Sequence, residues 1–318
     1  MHLPLNVNEG EGVELSKRYS VGITYPVFVL VNNSGEEINR WIGYTGGSAT
    51  LVRTLKWALQ DLTPITQRES HFEANPTQKE ALFLAGYFSK SGNYVKSLRY
   101  YRRSQTLGGG KGFDYSYEIF TNTANAVWNE SFPFDSIYLA ANDVLASKNK
   151  QKDNVIKVAQ LMTRLSRKFK HYQGLKKYLQ AAIDITAGTP ADKNTNELLK
   201  ADYALCITGD TLKAVYIKKA SMSPGWENQR DVFYEYSKWC LERLINLAEA
   251  EAYARKAINL VNPGMYRARV LGTVAEICEA RGNIDEAIRL AEWAINEDPD
   301  NLLFQNLLKR FQGKSGGD

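Results

Sequence analysis

The sequence predicts an α+β chain, in which a small α/β module over residues 1–64 is followed by an all-α repeat domain over residues 65–318. Three observations support this division. Strand-like apolar runs are confined to the first part of the chain, helical periodicity dominates from Pro76 onward, and a helix-pair unit recurs in the helical part. The length of 318 residues also corresponds to about two average domains.

The elements of the α/β module follow from short apolar patterns. Residues 13–19 predict a helix, since acidic residues in its first turn favour the helix dipole. Residues 27–31, VFVLV, are successive apolar residues and predict a strand buried on both faces. A glycine-containing turn leads into a second strand over residues 37–42. An amphipathic helix with an apolar stripe over residues 51–62 then ends before Pro64.

The stretch EGVELSKRYSVGITYPVFVLVNNSGEEINRWIGY resembles the C-terminal half of the thioredoxin fold. Members of that family have a similar helix, a proline before a valine-rich strand, a turn with glycine, and Gly-Tyr after the return strand. The resemblance covers residues 1–62. It implies that Pro26, preceded by Tyr25, has a cis peptide bond and belongs to a partner-binding site. Where the family often has threonine after the proline, this chain has Val27.

Thiol–disulfide exchange requires a reactive cysteine, and the module contains none up to Pro64. We therefore expect a redox-inactive remnant, with no catalytic residue and no cofactor. Because an isolated two-stranded hairpin is marginally stable, we expect either that a longer parent protein supplies the missing strands or that the helical region covers the edge of residues 27–31. We favour a chain that starts inside the fold of a longer protein. The alternative to a redox-inactive remnant is that a Cys-x-x-Cys lies upstream of Met1. The chain would then be the C-terminal part of a thiol–disulfide oxidoreductase.

The clearest repeat unit is residues 268–301, ARVLGTVAEICEARGNIDEAIRLAEWAINEDPDN. Its alanines let two helices approach closely, Gly282 permits a tight turn, and a proline ends the second helix. The unit closely resembles a tetratricopeptide repeat. A second copy begins near Gln78 and has the same Gly-Asn turn. A third copy, over residues 231–263, has Ile245 in place of the glycine, so its register is less regular.

Six further helices are expected between these copies, at residues 116–128, 135–147, 153–169, 173–187, 194–208 and 211–221. We interpret residues 65–318 as a tetratricopeptide-like α-helical solenoid whose middle repeats have drifted. Such solenoids commonly bind a protein or peptide in a groove. Aromatic residues cluster in the copy that begins near Gln78, and the sequence leaves open which are core and which line a groove. Together with Tyr25 and Pro26, the candidate partner-binding residues are Tyr87, Tyr94 and Tyr101.

The composition also limits which metal sites, reactive cysteines and membrane spans the chain can form. The chain has 40 Lys and Arg, 35 Asp and Glu, three His and three Cys, with a net charge of +5. The histidines are far apart in sequence, so no metal site is expected. Cys206, Cys240 and Cys278 form no Cys-x-x-Cys, and each is expected to fill a small buried niche. No apolar run reaches the roughly 18–20 residues of a membrane span.

Residues 148–177 are the most basic stretch, with ten Lys and Arg against Asp153 alone. Phe169 and Tyr172 lie among these charges, a pattern that can bind single-stranded nucleic acid. A solvated helix face explains the stretch more simply, so no nucleic-acid partner is expected. The segment LGGGKGF lacks the Ser or Thr that follows lysine in a phosphate-binding loop, and it predicts a connector.

These patterns predict a non-catalytic protein–protein interaction protein, with the oxidoreductase fragment as the alternative. Thioredoxin–repeat fusions of this kind are often exported in bacteria. The resemblance therefore implies a periplasmic or exported protein if a longer N-terminus exists, and a cytoplasmic one otherwise.

Overall fold

The computed structural model describes residues 5–7, 9–21, 26–43, 47–108, 114–148, 150–223, 225–226 and 229–315. The chain divides into two compact units, Met1–Leu165 and Ser166–Asp318, and each is described by itself. The boundary expected between residues 64 and 65 lies inside the first unit and stays a prediction. Among the described helices, none combines the length and the apolar character that crossing a bilayer requires.

The N-terminal elements lie where the sequence predicted them. They are α1 (Glu11–Arg18), β1 (Val27–Val31), β2 (Glu37–Ile42) and α2 (Gly47–Ala58). The two strands form an antiparallel hairpin, with a bulge between Leu30 and Val31. The turn between them is closed by Asn32, whose side-chain oxygen accepts the N–H groups of Ser34 and Glu36 at 3.0 and 2.9 Å.

The prediction that β1 is buried on both faces is wrong. Its first four residues are half-buried, and Val31 is exposed. The buried strand is β2, where Ile38, Asn39 and Arg40 are covered in succession. The reason is that α3 and α4 pack against β2. An apolar run therefore identified the strand but could not show which strand the helices cover.

Six described helices follow α2 and begin in the first unit: α3 (Ile65–Ala74), α4 (Gln78–Lys90), α5 (Tyr94–Leu107), α6 (Ser116–Trp128), α7 (Ser136–Ala146) and α8 (Lys152–Phe169). The last of them, α8, ends four residues beyond the boundary of this unit. Within this unit α4 pairs with α5, α6 pairs with α7, and α5 packs on α6. Helices joined by such short connections form antiparallel hairpins. The helix pair predicted from Gln78 onward is confirmed as α4 and α5.

The second unit contains α9 (Leu175–Thr186), a short 3₁₀ turn (Pro190–Asp192), α10 (Lys193–Cys206), α11 (Thr211–Ala220), α12 (Arg230–Arg243), α13 (Leu247–Asn259), α14 (Met265–Ala280), α15 (Ile284–Glu297) and α16 (Leu302–Ser315). Its hairpins include α12–α13 and α14–α15, and they stack because α14 packs on α12, α13 and α16. Fully buried alanines hold the helices close, as at Ala254 and Ala291.

The turns inside the hairpins explain the repeat motif. Gly92 and Gly282 have φ angles of +77° and +82°, which glycine adopts without steric cost. The next residue in each copy is an asparagine, and its side chain caps the following helix: Asn93 accepts the N–H of Lys96, and Asn283 that of Glu286. The Gly-Asn pair therefore both turns the chain and starts the second helix.

The irregular copy forms the same hairpin with a different turn. Ile245 occupies the glycine position, and a β-branched residue is poorly suited to positive φ. Here Leu244 and Asn246 take the positive φ angles instead, at +54° and +49°. The helix pair predicted for residues 231–263 is confirmed, and its turn is rearranged around the isoleucine.

Ion pairs connect successive helices of the second unit. Glu251 on α13 bonds Arg255 on its own helix and Arg281 just after α14, and Arg255 also reaches Glu286 on α15. Arg310 on α16 contacts α14 in the same way. Burial alone would raise the pKa of Glu251, but hydrogen bonds from Arg255 and Arg281 hold it below its usual value. Glu251 is therefore charged at neutral pH, and its ion pairs link α13 to the end of α14.

Candidate functional site

A groove of about 810 Å³ opens in the first unit. Its walls come from residues 78–82, 114–118, 144–147 and 150–154. These segments are the first turns of α4, α6 and α8, together with the end of α7. Each of α4 and α6 is the first helix of its hairpin, so the groove runs across corresponding ends of successive hairpins.

Asp114 fixes one wall of the groove. One carboxylate oxygen accepts the N–H of Ser116 at 2.9 Å, and the other accepts the hydroxyl of Ser147. The carboxylate thereby joins the start of α6 to the end of α7. Burial alone would raise the pKa of Asp114, but these hydrogen bonds hold it below its usual value. The carboxylate is therefore charged at neutral pH. It gives the groove a negative charge and holds Ser116 and Ser147 in place.

The lining combines amide, hydroxyl and aromatic groups with balanced charge. Lys79 and Lys150 face the groove with Asp114 and Glu118, so neither sign dominates. Gln78, Gln151 and Asn154 offer both donors and acceptors, and the first turn of any helix has N–H groups without an intrahelical partner. Such a surface suits an uncharged, polar chain with regularly spaced N–H and C=O groups.

A smaller recess of about 290 Å³ lies in the second unit, between α9, α10 and α11. Its lining includes Gln180, Tyr203 and Lys213, beside apolar residues such as Ile183 and Ile217. It is about a third the size of the groove, and the described lining has less polar surface. We take the groove as the candidate site for this reason.

The aromatic residues predicted as partner-binding lie in different environments. Tyr87 and Tyr101 are buried, both at 7% exposure, whereas Tyr94 is half-buried at the start of α5. Tyr87 packs on Phe88, with ring centroids 5.1 Å apart, and burial raises its pKa. The question that the sequence left open is resolved for two of them: Tyr87 and Tyr101 are core residues in this structure.

Tyr101 lies next to a residue that lines the groove. Its ring lies 5.9 Å from that of Tyr115, which forms part of the groove lining. Burial raises the pKa of Tyr101 to about 12, so its hydroxyl stays protonated. Pro26 is exposed at the start of β1, and its carbonyl accepts the N–H of Gly43 at 2.8 Å. Tyr25 lies outside the described residues, and a partner-binding role for the five residues stays a prediction.

The groove residues Gln78 and Asn154 were missed by sequence reasoning. They are isolated polar residues near helix starts and belong to no motif. The only signal in the sequence was their position in the first turn of a predicted helix. In the structure, the N-termini of α4, α6 and α8 lie side by side along the groove. Only the packing of α4, α6 and α8 brings them together.

The three cysteines are free thiols, and Cys240 and Cys278 are fully buried. Burial raises the pKa of each thiol, of Cys206 as well as the other two, to about 11. Among the described residues, no group of three or more His, Cys, Asp or Glu is arranged to hold a metal ion. The expectation that Cys240 and Cys278 fill buried niches is confirmed, whereas Cys206 is only half-buried.

No protein-family model matches the chain, and a search of curated proteins finds no match either. The solved structures that are similar to it include two that each cover 77% of its length. One is a tetratricopeptide repeat protein from Parabacteroides merdae, with 12% identity, a TM-score of 0.47 and 90% of that chain covered. The other is BtubC from P. vanneervenii, with 13% identity, a TM-score of 0.30 and 91% of that chain covered. The chain itself is mostly helical and built of helical hairpins.

Proposed function

We propose that this chain is a non-catalytic interaction protein, which binds an extended peptide segment of a protein partner in the groove of the first unit. The observation that carries the proposal is the groove itself, about 810 Å³ in volume and lined by the first turns of α4, α6 and α8. Its tetratricopeptide-like repeat motif supports the same kind of role.

The chemistry of the lining favours a peptide over a charged small molecule. An extended peptide offers one donor and one acceptor per residue, which match the amide side chains of Gln78, Gln151 and Asn154. Leu82 and Tyr117 supply apolar contact for its side chains. The paired signs of the groove charges disfavour a strongly anionic or cationic ligand, since either would meet a like charge.

The thiols support the non-catalytic part of the proposal. A nucleophilic cysteine needs a thiolate at working pH, and burial here raises the thiol pKa to about 11. No Cys-x-x-Cys is present in the chain. We expect no insulin-reducing activity from the purified chain.

The test is peptide selection followed by a groove-filling substitution. Random peptides are selected on the immobilised chain by phage display, and their Kd is measured by fluorescence polarisation. Gln151→Trp places a large ring in the groove at an exposed position. The matched control is Gln105→Trp, also at an exposed glutamine of the first unit but outside the groove lining.

We expect Gln151→Trp to weaken binding at least tenfold and Gln105→Trp to leave Kd unchanged. Loss of about 1.4 kcal/mol corresponds to that tenfold change. Equal binding by both variants, or selection of no peptide at all, would overturn the proposal. Circular dichroism confirms that both variants keep the helical content of the wild type.

A second candidate function is that of a thiol–disulfide oxidoreductase fragment, with residues 1–64 as the C-terminal half of a thioredoxin-like domain. The observation in its favour is that α1, β1, β2 and α2 follow one another in the order helix, strand, strand, helix. The nucleotide sequence upstream of the Met1 codon tests it. An in-frame strand followed by Cys-x-x-Cys supports the candidate, and a stop codon removes it.

A further inference from the structure

The outer edge of β1 carries unpaired backbone groups. Two hydrogen bonds bracket the hairpin: Gly43 N–H donates to the Pro26 carbonyl at 2.8 Å, and Asn32 N–H donates to the Glu36 carbonyl at 3.0 Å. Residues alternate in direction along a strand, so every second residue from Pro26 to Asn32 faces β2. The N–H and C=O groups of Val27, Val29 and Val31 therefore point away from β2, toward the opposite edge.

This edge differs from that of its partner strand. Arg40 on β2 is 3% exposed, bonds the Tyr19 carbonyl at 2.6 Å, and lies 5.6 Å from the Tyr87 ring centroid. Helices α3 and α4 also pack on β2. In the part of the chain that the structure describes, β2 is the one strand that pairs with β1. Among the described residues, the sheet thus has one strand against which helices pack and one strand whose outer edge pairs with no further strand.

The hairpin has a bulge between Leu30 and Val31, but the edge lacks two other features that usually prevent strand pairing. Exposed edges are commonly protected by a charged residue or by a proline within the strand. Residues 27–35 contain no charge and no proline, and β1 itself is entirely apolar. A row of backbone donors and acceptors flanked by valines is complementary to another extended apolar strand.

We propose that a second copy of this chain occupies the edge, forming a twofold dimer in which β1 pairs antiparallel with β1 of the other copy about Val29. The sequence VFVLV is nearly the same in both directions. In this register Val29 faces Val29, Val27 faces Val31, and Phe28 faces Leu30. All outward backbone groups of the strand find partners, and every cross-strand pair is apolar.

The twofold register also explains why association stops at a dimer. Each copy offers one available edge, and antiparallel pairing about Val29 uses it in both copies at once. Such an isologous contact closes on itself and leaves no further edge for growth. A foreign strand would satisfy the same backbone groups, but it would not require the like-with-like register that the palindromic sequence provides.

The test is analytical ultracentrifugation of the full chain with charge variants at the twofold position. Wild type should sediment, over a concentration series, toward twice the mass of the 35.9 kDa chain. Val29→Lys and Val29→Glu each place like charges opposite one another, so each alone should be a monomer. An equimolar mixture of the two should recover the dimer, because Lys then faces Glu.

The mixture shows whether a variant is monomeric because pairing at Val29 is blocked or because the chain has unfolded. Mixing two unfolded variants would not recover the dimer. A wild-type chain that stays monomeric at every concentration would overturn the proposal. A dimer that persists in either single variant would also overturn it, since the contact would then lie elsewhere. Gln151→Trp should remain dimeric, which keeps this test independent of peptide binding in the groove.

Discussion

Two glycines in the middle of helices offer a sharp test of hairpin stacking, because alanine at each should change stability in opposite directions. Gly272 lies in α14, and a Cβ added there would meet Phe304 on α16, 2.8 Å from Cε1 and 3.1 Å from Cδ1. Gly86 lies in α4, and a Cβ there would meet nothing within 4 Å. The two substitutions are chemically identical and differ only in what surrounds them.

The magnitude follows from two terms. Replacing glycine by alanine inside a helix stabilises it by about 0.5–1 kcal/mol, and this gain applies to both sites. Carbon atoms in contact lie roughly 3.5–4.0 Å apart, so Phe304 would have to move by about 0.7 Å. Its side chain is 1% exposed, and overpacking such a core costs about 1–3 kcal/mol. We therefore expect Gly86→Ala to stabilise by about 0.5–1 kcal/mol and Gly272→Ala to destabilise by about 1 kcal/mol.

The assay is urea unfolding of the full chain, followed by far-ultraviolet circular dichroism. Since the glycines lie in different compact units, separate transitions would each report one substitution. The reasoning is refuted if Gly272→Ala stabilises the protein as much as Gly86→Ala does. That result would mean that Phe304 on α16 does not pack closely against Gly272 on α14.

Two further predictions concern charge and thiols. Glu251→Gln should destabilise the second unit at pH 7, because the charged carboxylate bonds Arg255 and Arg281. The pKa of Glu251 is lowered from 4.5, so its contribution is complete above that pH and is lost as pH falls further. Urea midpoints of wild type and variant should therefore converge as the pH falls from 4.5 through the lowered pKa of Glu251, and a constant difference would contradict the role of the ion pairs. An aromatic disulfide reagent at pH 7 should modify Cys240 and Cys278 slowly in the native protein and all three cysteines rapidly in urea, whereas immediate native labelling would contradict their burial.

Much of the fold could be predicted because its determinants are local. The Gly-Asn pairs at residues 92–93 and 282–283 set both a turn and a helix cap, so two hairpins were predicted from a few residues. The β-hairpin bounds were also predicted, because apolar runs and a turn define them without reference to the rest of the chain. Even the irregular copy kept its helix pair, since Leu244 and Asn246 took over the positive φ angles that Ile245 disfavours.

What the sequence could not supply was contact between distant segments. The apolar run of β1 is the same whether helices cover it or not, and burial went to β2 because α3 and α4 pack there. Tyr87 and Tyr94 are both tyrosines of one repeat, yet one is core and the other half-buried. The groove depends on three helix starts that are about 35 residues apart in sequence, and no local pattern marks them.

Peptide binding in the groove can be measured by hydrogen–deuterium exchange of the chain with and without a selected peptide. N-terminal helix turns have N–H groups without intrahelical partners, so a bound peptide should slow their exchange. We expect protection at residues 78–82, 114–118 and 150–154, with no change in α9 to α11. Protection confined to the recess between α9, α10 and α11, with none at these three segments, would contradict it.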